Sequence, residues 1–169
     1  VLGSSIGRDE INIITITDKI DKISGDVWDV SANQDRSVIA CAKQNGDLIE
    51  LVIAGRNGVK ANKNCCALFA GYYSLNKLNI ECKFDTSNVV DMSYMFANSG
   101  FVKLNLGGFN TSQVTNMKHM FEKCGDLEEI DLSGFDTSQV INMSSMFCEC
   151  GDLMRLDLKE FETDNVTDM

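Results

Sequence analysis

The chain contains no proline, a single tryptophan and a single histidine, and it carries 15 basic side chains against 25 acidic ones. The lack of proline and of a Gly/Ser-rich run disfavours both a loop-heavy sandwich and a second domain joined by a stiff hinge. The net charge of −10, with a pI near 4.5 and no Lys/Arg cluster, argues against nucleic acid or anionic membrane as a partner. Both need cations to neutralise phosphate. No apolar run reaches the roughly 18 residues needed to cross a bilayer, so direct membrane insertion is not expected. Val1 to Glu10 lacks the basic-then-apolar layout of a secretion signal. The start without methionine and the stop at Met169, inside a repeat, suggest a piece of a longer protein with further repeats.

What the chain has in abundance is self-similarity. Lys83 to Phe96 reads KFDTSNVVDMSYMF, Gly108 to Phe121 reads GFNTSQVTNMKHMF, Gly134 to Phe147 reads GFDTSQVINMSSMF, and Glu160 to Met169 reads EFETDNVTDM. The anchors Phe84, Phe109, Phe135 and Phe161 are spaced 25, 26 and 26. Between them recur GFVKLNLGG from Gly100, GDLEEIDLSG from Gly125 and GDLMRLDLKE from Gly151, each with an L-x-x-L-x-L character. The pattern fades backwards through SLNKLNIE at Ser74 and GDLIELVIAG at Gly46. All nine phenylalanines and seven of the eight methionines fall in repeat columns, which marks them as the buried stripes of stacked units.

Two leucines spaced two apart lie on one face of a strand, so Ile130 with Leu132, and Leu156 with Leu158, are expected to point inward. Asp91, Asn116, Asn142 and Asp168 stand before M-x-x-M-F, which reads as an N-cap followed by apolar residues at helical spacing. A short helix is expected from about Met117 to Cys124. Strands stack about 4.8 Å apart while helices need roughly 8 to 10 Å, so such an array should curve with its strands on the concave side.

Ile11 to Thr17, Val27 to Val30 and Ser37 to Ala42 read as strands, and Asn45-Gly46 as a type I′ hairpin turn. The expected fold class is therefore α/β: a curved, leucine-rich-repeat-like solenoid with parallel strands and short helices, preceded by an N-terminal β cap. Residues 1–60 would form the cap, including Trp28, with a first degenerate coil. Residues 61–169 would form the repeat array, truncated within a coil.

The phrase F-D-T-S-x-V-x-[DN]-M-x-x-M-F-x-x-C-x-x-L-x-x-L-D-L resembles the roughly 25-residue repeat of BspA-like, leucine-rich-repeat surface proteins, also known as the mycoplasma lipoprotein repeat. The match is close from Lys83 to Met169, and Trp28 to Gly55 is similar to the segment that often precedes such repeats. The resemblance implies a bacterial protein, secreted or attached to the cell wall, whose repeats mediate adhesion to host or microbial components. It transfers no catalytic residue.

The side chains nominate no catalytic, cofactor-binding or metal-binding residue. Cys41, Cys65, Cys66, Cys82, Cys124, Cys148 and Cys150 contain no C-x-x-C pair. Buried free thiols are the first reading, with a disulfide or a metal site as alternatives. His119 reads as a solvent-facing helix residue. Thr86, Thr111, Thr137 and Thr163 form a column, as do Asn88, Gln113, Gln139 and Asn165; they read as ladders satisfying backbone groups, against a polar recognition strip.

If the repeats bind, outward strand positions are the candidates: Lys77, Lys103, Glu129 and Arg155 in one row, and Asn79, Asn105, Asp131 and Asp157 in the next. Asp131 over Asp157 would set like charges close together unless a cation or basic partner offsets them. The expected function is a non-enzymatic surface-binding or adhesion module for a protein or glycan, with a ligand-free architectural spacer as the alternative and the oligomeric state open.

Overall fold

The run Ile11–Thr17 is β-branched at every position but Asn12 and forms strand β1, with Ile11, Ile14 and Ile16 no more than 1% exposed. The computed structural model describes residues 6–23, 25–31 and 33–169; Val1 to Ser5, the start of the segment weighed as a secretion signal, lie outside them. After β1 come β2 (Trp28–Asp29), β3 (Val38–Asn45), β4 (Leu48–Gly55), β5 (Val59–Lys60), β6 (Lys77–Ile80), β7 (Phe84–Asp85), β8 (Lys103–Asn105) and β9 (Glu129–Asp131). The chain divides into two units: Val1–Lys60 with Tyr72–Asp85, and Ala61–Gly71 with Thr86–Met169. Tyr72–Asp85, assigned to the repeats by the sequence reading, belongs with the first unit.

The first unit is built on a five-stranded mixed sheet, ordered β2-β3-β4-β1-β6. β1 lies between β4 and β6, parallel to both, while β3 and β4 form an antiparallel hairpin. The hairpin pairs Asn45 with Leu48, so its two turn residues are Gly46 and Asp47, one position later than expected. Gly46 takes φ +63° there and Asp47 stays at negative φ, which is a II′-like turn in place of type I′.

The second unit overturns the expected fold class. It is not an α/β solenoid with short helices: the only helical elements among the described residues are two three-residue 3-10 turns, Arg8–Glu10 and Ile20–Lys22, both in the first unit. From Met117 to Cys124, where a helix was expected, the chain runs through a series of turns. The cause is the direction of the backbone hydrogen bonds. Met117, His119, Phe121 and Lys123 donate their N–H to Asn142, Ser144, Met146 and Cys148 of the next repeat at 2.8–2.9 Å. The intervening amides of Met120, Glu122 and Cys124 close local turns on Met117, His119 and Phe121. Met92, Tyr94, Phe96 and Asn98 repeat the pattern one repeat earlier, onto Asn116, Lys118, Met120 and Glu122.

This path needs left-handed backbone at two positions in each repeat. Tyr94, His119 and Ser145 have φ of 54–56°, and Asn98, Lys123 and Glu149 have φ of 56–60°. Each such residue costs about 1 kcal/mol or more. Four backbone hydrogen bonds between neighbouring repeats offset that cost, and they require close approach. A helix in this segment would hold its neighbours roughly 8 to 10 Å away, which the ladder does not permit. The expected curvature loses its premise with the helices.

The apolar columns fill the interior of this unit. Met92, Met95, Met117 and Met120 are fully buried. Phe69, Phe96, Phe121 and Phe147 form a run of stacked rings with centroids 5.4, 5.6 and 5.3 Å apart. In the last repeat no strand forms, and Leu156 and Leu158, expected inward, are 37% and 39% exposed.

Candidate binding face

The eight candidate residues do not form one continuous pair of rows. Lys77 and Asn79 lie on β6, in register with Ile13 and Thr15 of β1. Asn79 donates its amide to Thr15 Oγ1 at 3.2 Å, and the same hydroxyl donates to Glu50. Asn79 is thus half-buried and engaged within its own sheet. Lys103 and Asn105 on β8 do stand in register with Glu129 and Asp131 on β9, in a separate two-stranded parallel sheet. Arg155 and Asp157 are exposed but outside any strand.

On the β8–β9 pair, Leu104 turns inward at 5% exposure while Lys103, Asn105 and Glu129 face water. Lys103 Nζ meets Glu129 Oε2 at 2.7 Å. The hydrogen bond to Glu129, then its charge, raises the Lys103 pKa; with both side chains well exposed the pair adds little stability. Asn105, Asp131 and Asp157 each turn a side-chain oxygen back to the backbone N–H two residues on, at 3.0, 3.0 and 3.1 Å. These are Asx turns, and those of Asn105 and Asp131 end β8 and β9. The Ser133 amide, then its hydroxyl, holds the Asp131 carboxyl below its usual range, and the Lys159 amide does the same for Asp157. Turn amides, and not the expected repulsion between the two carboxylates, set their titration.

The Asp/Asn column expected to cap helices makes the same kind of turn. Asp91, Asn116 and Asn142 accept from Ser93, Lys118 and Ser144 at 2.9–3.1 Å. Their backbones bridge one to the next from Asn64 to Asp168, and Asn116 Nδ2 reaches Asp91 at 3.2 Å. The threonine column is a backbone-satisfying ladder: Thr86, Thr111 and Thr137 are at most 2% exposed, and each hydroxyl binds both main-chain groups of one residue on the next repeat. The amide column beside it stays exposed at Asn88, Gln113, Gln139 and Asn165.

Among the described residues no disulfide joins any of the seven cysteines. Cys124 Sγ donates to Phe96 O at 3.1 Å and Cys150 Sγ to Phe121 O at 3.0 Å; one repeat earlier, Ser99 in the same column donates to Phe69 O at 2.7 Å. Ser99 is the signal in the sequence that marks this column as a hydrogen-bond donor. Burial raises the Cys124 thiol to about 12 and the Cys65 thiol to about 11. Among the described residues no group of three or more His, Cys, Asp or Glu side chains is arranged to hold a metal ion.

His119 does not face solvent from a helix. Its ring stacks on Tyr94, centroids 4.7 Å apart and planes 14° from parallel, with side-chain exposure of 19%. Nδ1 lies 3.2 Å from Glu122 Oε2 but off the line a hydrogen bond needs.

A feature the sequence did not reveal is an open depression of about 740 Å³ between neighbouring repeats, lined by Ile130, Asp131 and Phe135 on one and Asp157, Lys159 and Phe161 on the other.

The repeat that generates these ladders is matched by a family model over residues 63–169, under the description Mycoplasma protein of unknown function, DUF285. The chain belongs to this family. No curated protein and no solved structure matches it. DUF285 membership thus covers the stretch carrying the Thr, Asp/Asn and Phe columns and leaves most of the first unit outside the match. Among the described residues no helix is long and apolar enough to cross a membrane.

Proposed function

We propose that this DUF285 chain is a non-enzymatic binding module, displayed outside a bacterial cell, that recognises a host or microbial protein or glycan through its repeat surface. The observation behind this reading is the β8–β9 pair, where side chains from successive repeats are set in register on an open surface while the buried polar residues are spent on holding the repeats together. The buried threonines and thiols make the hydrogen bonds to the next repeat's main chain, and the exposed side chains of Lys103 and Glu129 take no part in those. The likeness to BspA-like leucine-rich-repeat surface proteins supports the same assignment and the extracellular or wall-attached location.

The test is saturable binding of the purified chain to immobilised extracellular proteins, glycans and whole cells. Replacing Lys103 with Glu and Glu129 with Lys swaps the exposed charges while keeping their pairing. The reading holds if a saturable partner is found and the swap weakens it; it falls if no surface shows saturable binding.

The self-contained charge pairing of Lys103 with Glu129 favours a second reading, an architectural spacer with no ligand of its own. A spacer predicts linear, unsaturable binding on every surface and no effect of the swap.

A further inference from the structure

Within the second unit the ladder opens at one place. β8 pairs with β9 over three residues and Leu106 N–H reaches Asp131 O at 3.0 Å. The equivalent stretch of the following repeat, Met154–Leu158, forms no strand, and among the described residues no backbone hydrogen bond joins it to β9. Contacts resume on either side, from Asp152 N–H to Gly125 O at 3.2 Å and through the Thr137 hydroxyl to both main-chain groups of Glu162. The repeats are therefore pinned at both ends of the segment and parted in its middle.

A depression of about 740 Å³ starts at this opening, with Ile130, Asp131 and Asp157 in its lining, and runs on along the following turns to Thr137 and Glu162, a size within the span of about 300–1,000 Å³ typical of binding pockets. β9 borders it as a strand paired on one side only, and an unpaired strand edge is a template for another strand. Its lining carries five carboxylates, those of Asp131, Asp136, Asp157, Glu160 and Glu162, against the one ammonium of Lys159, which already meets Asp157 at 3.4 Å. The field in the gap favours a cationic occupant, in keeping with the net charge of −10.

We infer that this gap takes an extended, Lys- or Arg-rich segment of another protein, added as a strand along β9 with its cations against the rim carboxylates. Main-chain hydrogen bonds supply the register in this mode of recognition and alternate side chains the specificity. The inference rests on the binding-module reading and names its partner as a protein in preference to a glycan.

The test uses the full chain and three fluorescently labelled short peptides: alternating Lys and Val, the same with Glu for Lys, and the Lys/Val peptide N-methylated at alternate amides. Fluorescence anisotropy should show saturable binding of the first, none of the second, and at least about tenfold weaker binding of the third. Glu160→Lys with Glu162→Lys, checked by an unchanged melting profile, should weaken the first by at least about tenfold. Equal binding of the N-methylated peptide would overturn strand addition, since its charge is intact, and absence of saturable binding would overturn the site. Should the chain bind cells or immobilised proteins without being displaced by the Lys/Val peptide, the gap is refuted as the binding site while the binding-module reading stands. Peptide binding without any surface binding refutes that reading and leaves the gap in place.

Discussion

Thr111 Oγ1 accepts the N–H of Asp136 at 2.8 Å and donates to the C=O of the same residue at 2.9 Å, so one hydroxyl satisfies both main-chain groups of a residue 25 positions further on. The side chain is 1% exposed. The hydroxyl is the fastener, and the same device recurs at Thr86 and Thr137.

Replacing Thr111 with Val keeps the shape and removes both bonds, leaving the Asp136 amide and carbonyl without their partner. A loss of about 1–3 kcal/mol is expected, against a smaller loss for Thr111→Ser, which keeps the hydroxyl. Urea titrations of the three proteins check this, with Ser expected between the native chain and Val.

Phe121 is stacked between Phe96 and Phe147 and is fully buried. Phe121→Ala should destabilise by about 3–5 kcal/mol, because the cavity lies between two repeats and removes contacts from both. Phe121→Leu should cost less, and a destabilisation of Phe121→Ala under about 1 kcal/mol would show that the ring column does not hold the repeats together.

The column of Ser99, Cys124 and Cys150 predicts an unusual tolerance. Cys124→Ser should be close to neutral, since Ser99 already makes the equivalent bond to a Phe carbonyl, while Cys124→Ala should cost about 1–2 kcal/mol by leaving Phe96 O without its donor. In the native chain near pH 8, a thiol reagent should modify the exposed Cys66 and Cys148 first and spare Cys124, whose thiol titrates at about 12, until denaturant is added. Mass mapping of the labelled cysteines gives the order.

Gly134 and Gly108 occupy the same repeat column with opposite expectations. A Cβ on Gly134 would run into the Gly107 carbonyl, whereas nothing lies within 4 Å of one on Gly108. Gly134→Ala should therefore destabilise by about 1–3 kcal/mol although the position is exposed, and Gly108→Ala should be near neutral. Paired thermal melts distinguish them directly.

Asp131, Asp136 and Asp157 are all held below their usual pKa by hydrogen bonds within their own turns; for Asp136 the Ser138 hydroxyl leads. A carboxyl whose pKa is lower folded than unfolded adds stability above the unfolded value, roughly 3.9, and loses it as pH falls through the folded one. Melting temperature should therefore drop on acidification below about pH 4. Asp136→Asn keeps the accepting oxygen and cannot titrate, so its acid limb should be shallower than that of the native chain; coincident limbs would remove the turn from the explanation.

The period, the buried columns and the strand positions β1, β8 and β9 could be read directly, because each depends on which side chains are apolar and how far apart they recur. Met117, Met120 and Phe121 are buried as their spacing implies. That spacing, however, is shared by a helix and by a chain of turns, and no local signal separated them. The donor role of Cys124 was legible only through Ser99, and the opening beside β9 was not legible at all, since Leu156 and Leu158 obey the same pattern as their counterparts.

The amino-acid sequence by itself determined the repeat and the identity of its interior, because a 25- or 26-residue period of Phe, Met and Thr leaves one set of faces to be kept from water. Only the tertiary structure decided that the segment after each Asp or Asn is a run of left-handed turns and not a helix. The choice lies with the neighbouring repeat: its carbonyls take every second amide at 2.8–2.9 Å, and a helix, having turned those amides inward on itself, could not come close enough to offer them.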